Sequence, residues 1–253
     1  MDLKLTGRRA LVTGGTRGIG RAIVGTLLNE GAEVAFCARD ADAVKATEAE
    51  LLAAGGKATG AAVDVADGVA LTEWVEASAA ALGGIDVVVA NVSAMSSADT
   101  EETWHKCFTI DLMGTVRTVN AALPYLEQST AGSIISVSSV SGREIDAFEG
   151  PYGSIKAALI HYTQGLAHRL APKGIRANTV SPGNTLFEGG SWDNTQRERP
   201  EMFAATLALI PTGRMGTPEE MAAAVAFLAS PVSSFTSGTN LVVDGALTRG
   251  VQL

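Results

Sequence analysis

The chain has 253 residues, 46% hydrophobic and 18% charged, with a net charge of −8. That is the length and composition of one α/β domain with a sizeable core, and the acidic balance argues against a nucleic-acid partner. No apolar run approaches the roughly 18 residues that cross a bilayer, and the N-terminal stretch lacks the apolar core of a signal peptide. Cys37 and Cys107 have neither metal-ligand nor disulfide-framework spacing. A cytoplasmic protein with no metal and no membrane partner is expected.

The first strand is the apolar run Ala10-Leu11-Val12. It leads into Thr13-Gly14-Gly15-Thr16-Arg17-Gly18-Ile19-Gly20, and apolar residues at helical spacing follow to Leu28. Strand, glycine turn and helix form the context of a phosphate-binding loop. Glycines let a pyrophosphate approach the backbone, and the first-turn N–H groups of the helix point at it. A glycine-rich connection with no ligand fits the same residues. A second strand spans Glu33 to Ala38. Dinucleotide folds place an acid near this strand's end for the ribose 2′-hydroxyl of NAD, or an Arg nearby for the 2′-phosphate of NADP. Here Arg39 follows Ala38, and Arg17 is a further cation on the same rim. Asp40 is an opposing charge.

Ala41 to Ala54 reads as a helix, Lys57 to Val63 as the third strand, and Gly68 to Leu82 as a helix ended by Gly83-Gly84. Ile85 to Ala90 is a near-continuous apolar run, the pattern of a central parallel strand. Thr100 to Leu126 holds two helical segments, the second from about Cys107. Ser133 to Val137 is the fifth strand and leads to Ser138-Ser139. Tyr152-Gly153-Ser154-Ile155-Lys156 opens a helix reaching about Leu170. Positions four apart share a helix face, so Tyr152 and Lys156 project to one side. Ile175 to Gly183 is the sixth strand with its Pro182-Gly183 turn, and Asn240 to Val243 is the last. The alternation predicts a single Rossmann-type domain over residues 1–253: a doubly wound parallel sheet of about seven strands with helices on both faces.

The glycine turn, Ser139 thirteen residues before Tyr152, the Tyr-x-x-x-Lys pair and the Pro-Gly turn occur in an order that resembles the short-chain dehydrogenase/reductase family. The likeness is to its 3-oxoacyl-acyl-carrier-protein reductase-like subgroup, and it covers about Leu5 to Gly245. It implies that Ser139, Tyr152 and Lys156 are catalytic. It implies a dinucleotide held by Gly14, Thr16, Arg17, Gly18, Ile19, Gly20, Arg39, Asp64, Val65, Asn91, Tyr152, Lys156, Pro182, Gly183 and Thr185, with Asp64 on the adenine. Ala38 stands where NAD-type members carry Asp, so NADP(H) is favoured over NAD(H). Two positions depart from the family. Asn-Asn-Ala-Gly is replaced by Ala90-Asn91-Val92-Ser93, and the Asn of Asn-x-x-Gly by Asp111. The resemblance implies that Asp111 joins the catalytic group as a stand-in that holds a proton-relaying water.

An ordinary tyrosine has a pKa of about 10, and lowering it by 3 units takes roughly 4 kcal/mol. A lysine ammonium one turn away supplies an opposite charge for that purpose. Tyr152 is therefore expected to act as acid/base, with Lys156 tuning it and holding the nicotinamide ribose. Ser139 is expected to hold the substrate oxygen. Residues 184–216 show no clear period and carry Leu186, Phe187, Trp192, Met202, Phe203 and Leu207, as a lid over a small, mostly apolar substrate would. The loop Glu144 to Glu149 is expected to face the same pocket. No Arg cluster marks an acyl-carrier site. The sequence thus points to an NADP(H)-dependent ketone/alcohol oxidoreductase. The alternatives are an NAD(H)-linked alcohol dehydrogenase and a catalytically silent dinucleotide-binding sensor or scaffold. Apolar and small residues on the two long helices, among them Val116, Val119, Ala122, Ile160, Tyr162 and Leu166, suggest a homotetramer, with a dimer second.

Overall fold

The computed structural model describes residues 2–96, 98–146 and 150–250. Seven strands form one parallel sheet: β1 Arg9–Thr13, β2 Glu33–Ala38, β3 Lys57–Ala62, β4 Val87–Ala90, β5 Ser133–Val137, β6 Arg176–Pro182 and β7 Asn240–Val243, in spatial order β3-β2-β1-β4-β5-β6-β7. The helices are α1 Gly18–Asn29, α2 Ala41–Ala53, α3 Gly68–Leu82, α4 Glu101–Cys107, α5 Gly114–Leu126, α6 Pro151–Leu170, α7 Ser191–Glu198, α8 Pro200–Leu207 and α9 Pro218–Ala229.

The central strands β1, β2 and β4 are mostly apolar because both faces are covered, whereas β3 at the sheet edge is largely exposed and β5 and β6 also bury polar side chains. Ala10 and Val12 of β1 pack with Ile23, Val24 and Leu27 of α1 and Val225 of α9. Leu11, between them, points to the other layer, with Leu71 and Val75 of α3, Val119 and Leu126 of α5, and Leu166 of α6. Strand order reverses between β1 and β4, which puts the ligand crevice of a doubly wound sheet at their C-terminal ends. Among the described residues no helix is long and apolar enough to cross a membrane.

Two local expectations are corrected. Residues 184–216 are not an irregular stretch but carry α7 and α8. The second segment of Thr100–Leu126 does not start as a regular helix at Cys107. A π-helical turn, Phe108–Met113, separates α4 from α5. On α5 and α6, Val119, Ala122 and Leu166 belong to the face that covers the sheet, while Val116, Ile160 and Tyr162 are half-buried.

Candidate active site

The glycine turn after β1 is built for close approach. Gly14 and Gly18 have φ of +75° and +52°, a region that favours glycine. A Cβ on Gly20 would lie 2.0 Å from the Gly14 carbonyl oxygen, so α1 can start against the turn only with glycine there. Asn91, at the end of β4, braces the turn from below. Its Nδ2 donates to the Thr13 carbonyl at 3.1 Å, and its amide donates to Thr13 Oγ1 at 3.0 Å. The turn leaves the first amides of α1 open to an anion, with Thr16 and Ile19 half-buried beside them.

Other expected cofactor contacts gather on the same edge of the sheet. Arg17 and Arg39 are exposed, and neither enters an ion pair among the described residues. Asp40 is turned away from them. Its Oδ1 caps α2, accepting from the amides of Asp42 and Ala43 at 3.0 Å each. Asp64 is exposed and accepts from the Ala66 amide, and Val65 is buried beneath it. Beyond β6, Gly183 lies so close to Asp244 that a Cβ would meet its Cα at 2.7 Å. Thr185 Oγ1 donates to the Gly183 carbonyl at 3.0 Å, fixing the turn after Pro182. The segment after β6 reaches back to the glycines, because a Cβ on Gly18 would be 2.6 Å from the Phe187 ring. Outside that contact, between α1 and α9, an open groove of about 560 Å³ has Arg17, Arg21, Phe187 and Glu219 on its walls. Ser139, Tyr152 and Lys156 do not line it.

Tyr152 and Lys156 stand on the first two turns of α6, with Pro151 at its start. Lys156 Nζ lies 5.6 Å from the centroid of the Tyr152 ring. Ser139 is brought to this helix by Gly142. A Cβ there would strike the Lys156 carbonyl carbon at 2.7 Å and the Ala157 nitrogen at 2.8 Å. Ser138 Oγ pins the same approach by donating to the Lys156 carbonyl at 2.8 Å. Ser139, Tyr152 and Lys156 are all buried.

Lys156 is 2% exposed and Asp111, on the π-helical turn, 1%. Asp111 Oδ1 meets Lys156 Nζ at 3.1 Å. Asp111 thus meets Lys156 directly, with no water between these two atoms. Nζ also donates to the Val137 carbonyl at 3.2 Å, so an ammonium with three N–H groups has one left for a ribose hydroxyl. Burial alone would lower the lysine pKa, but attraction to Asp111 and Tyr152 outweighs it and holds the ammonium above its ordinary range. The Asp111 carbonyl accepts from the Thr115 hydroxyl at 2.7 Å, and Asp111 Oδ2 from the Ala94 amide at 2.8 Å. The two departures from the family pattern thus adjoin one another. The loop beginning at Ser93 delivers the amide that anchors Asp111.

The loop after Ser139 is described as far as Asp146, and the expectation for Ala147 to Glu149 lies outside the described residues. Glu144 is turned toward the chain's tail. Its carboxylate accepts from the amides of Gly250 and Arg249 at 2.6 and 3.3 Å. Gly142, the Glu144 tie and the Phe187 contact escaped sequence reasoning. The only available signal was a glycine following a serine-rich strand end.

Residues 14–248 match a family model described as enoyl-(acyl carrier protein) reductase. The chain is 46% identical to isoepoxydon dehydrogenase of Penicillium expansum, covering 98% of this chain and 97% of that protein. It is 34% identical to the 3-oxoacyl-[acyl-carrier-protein] reductase of Vibrio cholerae, over 97% and 99%. Among solved structures, an NADPH-bound short-chain oxidoreductase of Pseudomonas aeruginosa PAO1, described as containing an atypical catalytic center, matches with TM-score 0.89 and 30% identity. The match covers 97% of this chain and 99% of that one. A short-chain dehydrogenase of Burkholderia cenocepacia in complex with NADP matches with TM-score 0.86 and 33% identity over 96% and 99%.

Proposed function

The chain belongs to the short-chain dehydrogenase/reductase family, and from that membership we propose an NADP(H)-dependent enzyme that interconverts a small, mostly apolar ketone and a secondary alcohol. The observation that carries this reading is the buried Lys156 ammonium beneath Tyr152, with Ser139 brought alongside by the Gly142 contact. The nicotinamide dinucleotide, when bound, supplies or takes up the hydride.

This chain's residues do the rest. The amides of the Gly14–Gly20 turn hold the pyrophosphate at the start of α1, and Asp64 and Val65 flank the adenine. Asn91, Pro182, Gly183 and Thr185 line the nicotinamide side. Tyr152 gives its proton to the carbonyl oxygen in reduction and takes it from the alcohol in oxidation. Ser139 donates a hydrogen bond to that same oxygen. Lys156 favours the charged state of Tyr152 and spends its third N–H on the ribose, while Asp111 fixes its position.

Support for NADP(H) comes from Ala38, from exposed Arg17 and Arg39, from the commitment of Asp40 to its own helix, and from the relatives solved with NADPH and NADP. Likeness to an isoepoxydon dehydrogenase supports a small-molecule substrate over an acyl carrier protein. A carbonyl panel assayed with NADPH and with NADH tests the reading. A lower KM for NADPH is expected, and Arg39→Ala should narrow the gap; equal preference in the parent overturns the cofactor choice. Tyr152→Phe should remove turnover and keep NADP(H) binding. More than a tenth of parent turnover in that variant overturns the acid/base assignment.

A further inference from the structure

The turn after β5 carries more polar side chains than this chemistry uses. Ser139 Oγ has one proton and two lone pairs. The Ser141 amide donates to it at 3.1 Å. The Ser139 hydroxyl donates onward to Ser141 Oγ at 3.2 Å, and the Ser141 hydroxyl donates to Asp146 Oδ2 at 2.6 Å. An ionised carboxylate only accepts, so Asp146 sets the direction of the whole chain. Ser141 Oγ is thereby made an acceptor, and the Ser139 proton is aimed at it. The bond at the Asp146 end is short and charge-assisted, and the one at the Ser139 end is long. Of the neighbouring charges, Glu144 and one arm of Arg143 face the tail, while Arg143 Nη1 is buried without a hydrogen-bond partner among the described residues. Glu144 holds the tail amides, and Arg143 Nη2 donates to the Gly250 carbonyl.

We propose that Ser141 and Asp146 are positioning residues that form an internal acceptor, competing with the substrate oxygen for the Ser139 proton. The inference rests on the reading above, in which Ser139 donates to the carbonyl. An arriving ketone has to draw that hydrogen bond away from Ser141. A carbonyl aligned between Ser139 and Tyr152 does so, and the negative charge developing on its oxygen during reduction does so more strongly. A carbonyl that enters askew leaves the proton where it was. The chain therefore lowers ground-state affinity and sharpens selection for correctly aligned carbonyls. No proton changes owner; only the direction of one hydrogen bond changes.

The test is calorimetric titration of ethyl acetoacetate into the complex with NADP⁺, where no turnover occurs. Ser141→Ala deletes the competing acceptor. Asp146→Ala frees the Ser141 proton to turn toward Ser139. Each is expected to tighten binding by about 2- to 5-fold, the scale of one net hydrogen bond. Ser141→Thr keeps the hydroxyl and should match the parent. In a Ser139→Ala background both alanine substitutions should leave the Kd unchanged, because their effect passes through Ser139. Looser or unchanged binding in the parent background overturns the proposal, as does tightening that persists without Ser139. Failure of the underlying functional reading is seen separately, as turnover that survives Tyr152→Phe.

Discussion

Asp111 places a negative charge 3.1 Å from the one positive charge beneath Tyr152. Two charges so close and so buried act on their surroundings largely as a dipole, so the field that favours a charged Tyr152 is weakened. Asp111→Asn keeps the shape and removes the opposing charge. It should retain at least about half of parent turnover and move the pH–rate profile toward lower pH. Asp111→Leu leaves a buried ammonium with no carboxylate, so turnover should collapse and stability should fall by about 3–5 kcal/mol. Turnover across pH 5–10 in both variants checks this, and a Leu variant that works like the parent removes Asp111 from the site. The shared face of Tyr152 and Lys156 was legible from helix spacing, whereas the place of Ser139 beside them was implied only by the family resemblance. The Asp111–Lys156 contact was not legible, because a helix period says nothing about which residue of another helix will face it.

Two element junctions show which structural features could be read from the chain. Strand β4 enters the sheet beside β1 through Asp86. Its carboxylate accepts from the Arg9 amide at 3.0 Å, Arg9 Nε at 2.8 Å and Ser129 Oγ at 2.6 Å. Burial pushes the Asp86 carboxyl up, but the Arg9 and Ser129 contacts outweigh it and hold it below its ordinary 3.8. A depressed pKa stabilises the fold above the unfolded-state value, and that stabilisation is lost as pH falls through the folded-state value. Denaturant unfolding of the parent and Asp86→Asn should therefore differ by about 2–3 kcal/mol at pH 7. The gap should hold to pH 5 and close below about pH 4; a gap independent of pH removes the ion pair as its cause. The central strands β1, β2 and β4 were legible because both faces are buried and their residues are mostly apolar. The π-helical turn was not, since one widened turn scarcely alters the apolar period. Helices α7 and α8 were missed because each has 8 residues and buries at most one, Thr195, leaving no periodic stripe to read.

At the scale of the whole molecule, apolar side chains remain outside. Trp104 and Phe108 project near the start of α5, and Phe227 and Phe235 near the β7 edge. Tyr162 on α6 has a buried hydroxyl with no hydrogen-bond partner. These fit two isologous contacts better than a single free chain. Light scattering at micromolar concentration should give four times the 26.0 kDa chain mass; a mass of one chain rules the assembly out. The Phe187 ring against Gly18 has a consequence in time. On the proposed reading, the segment that closes over the substrate also rests on the turn that grips the pyrophosphate. The dinucleotide must then board before the lid settles and depart after it lifts. The enzyme should follow a compulsory order, with the spent nucleotide last to leave and its departure setting the pace of the cycle.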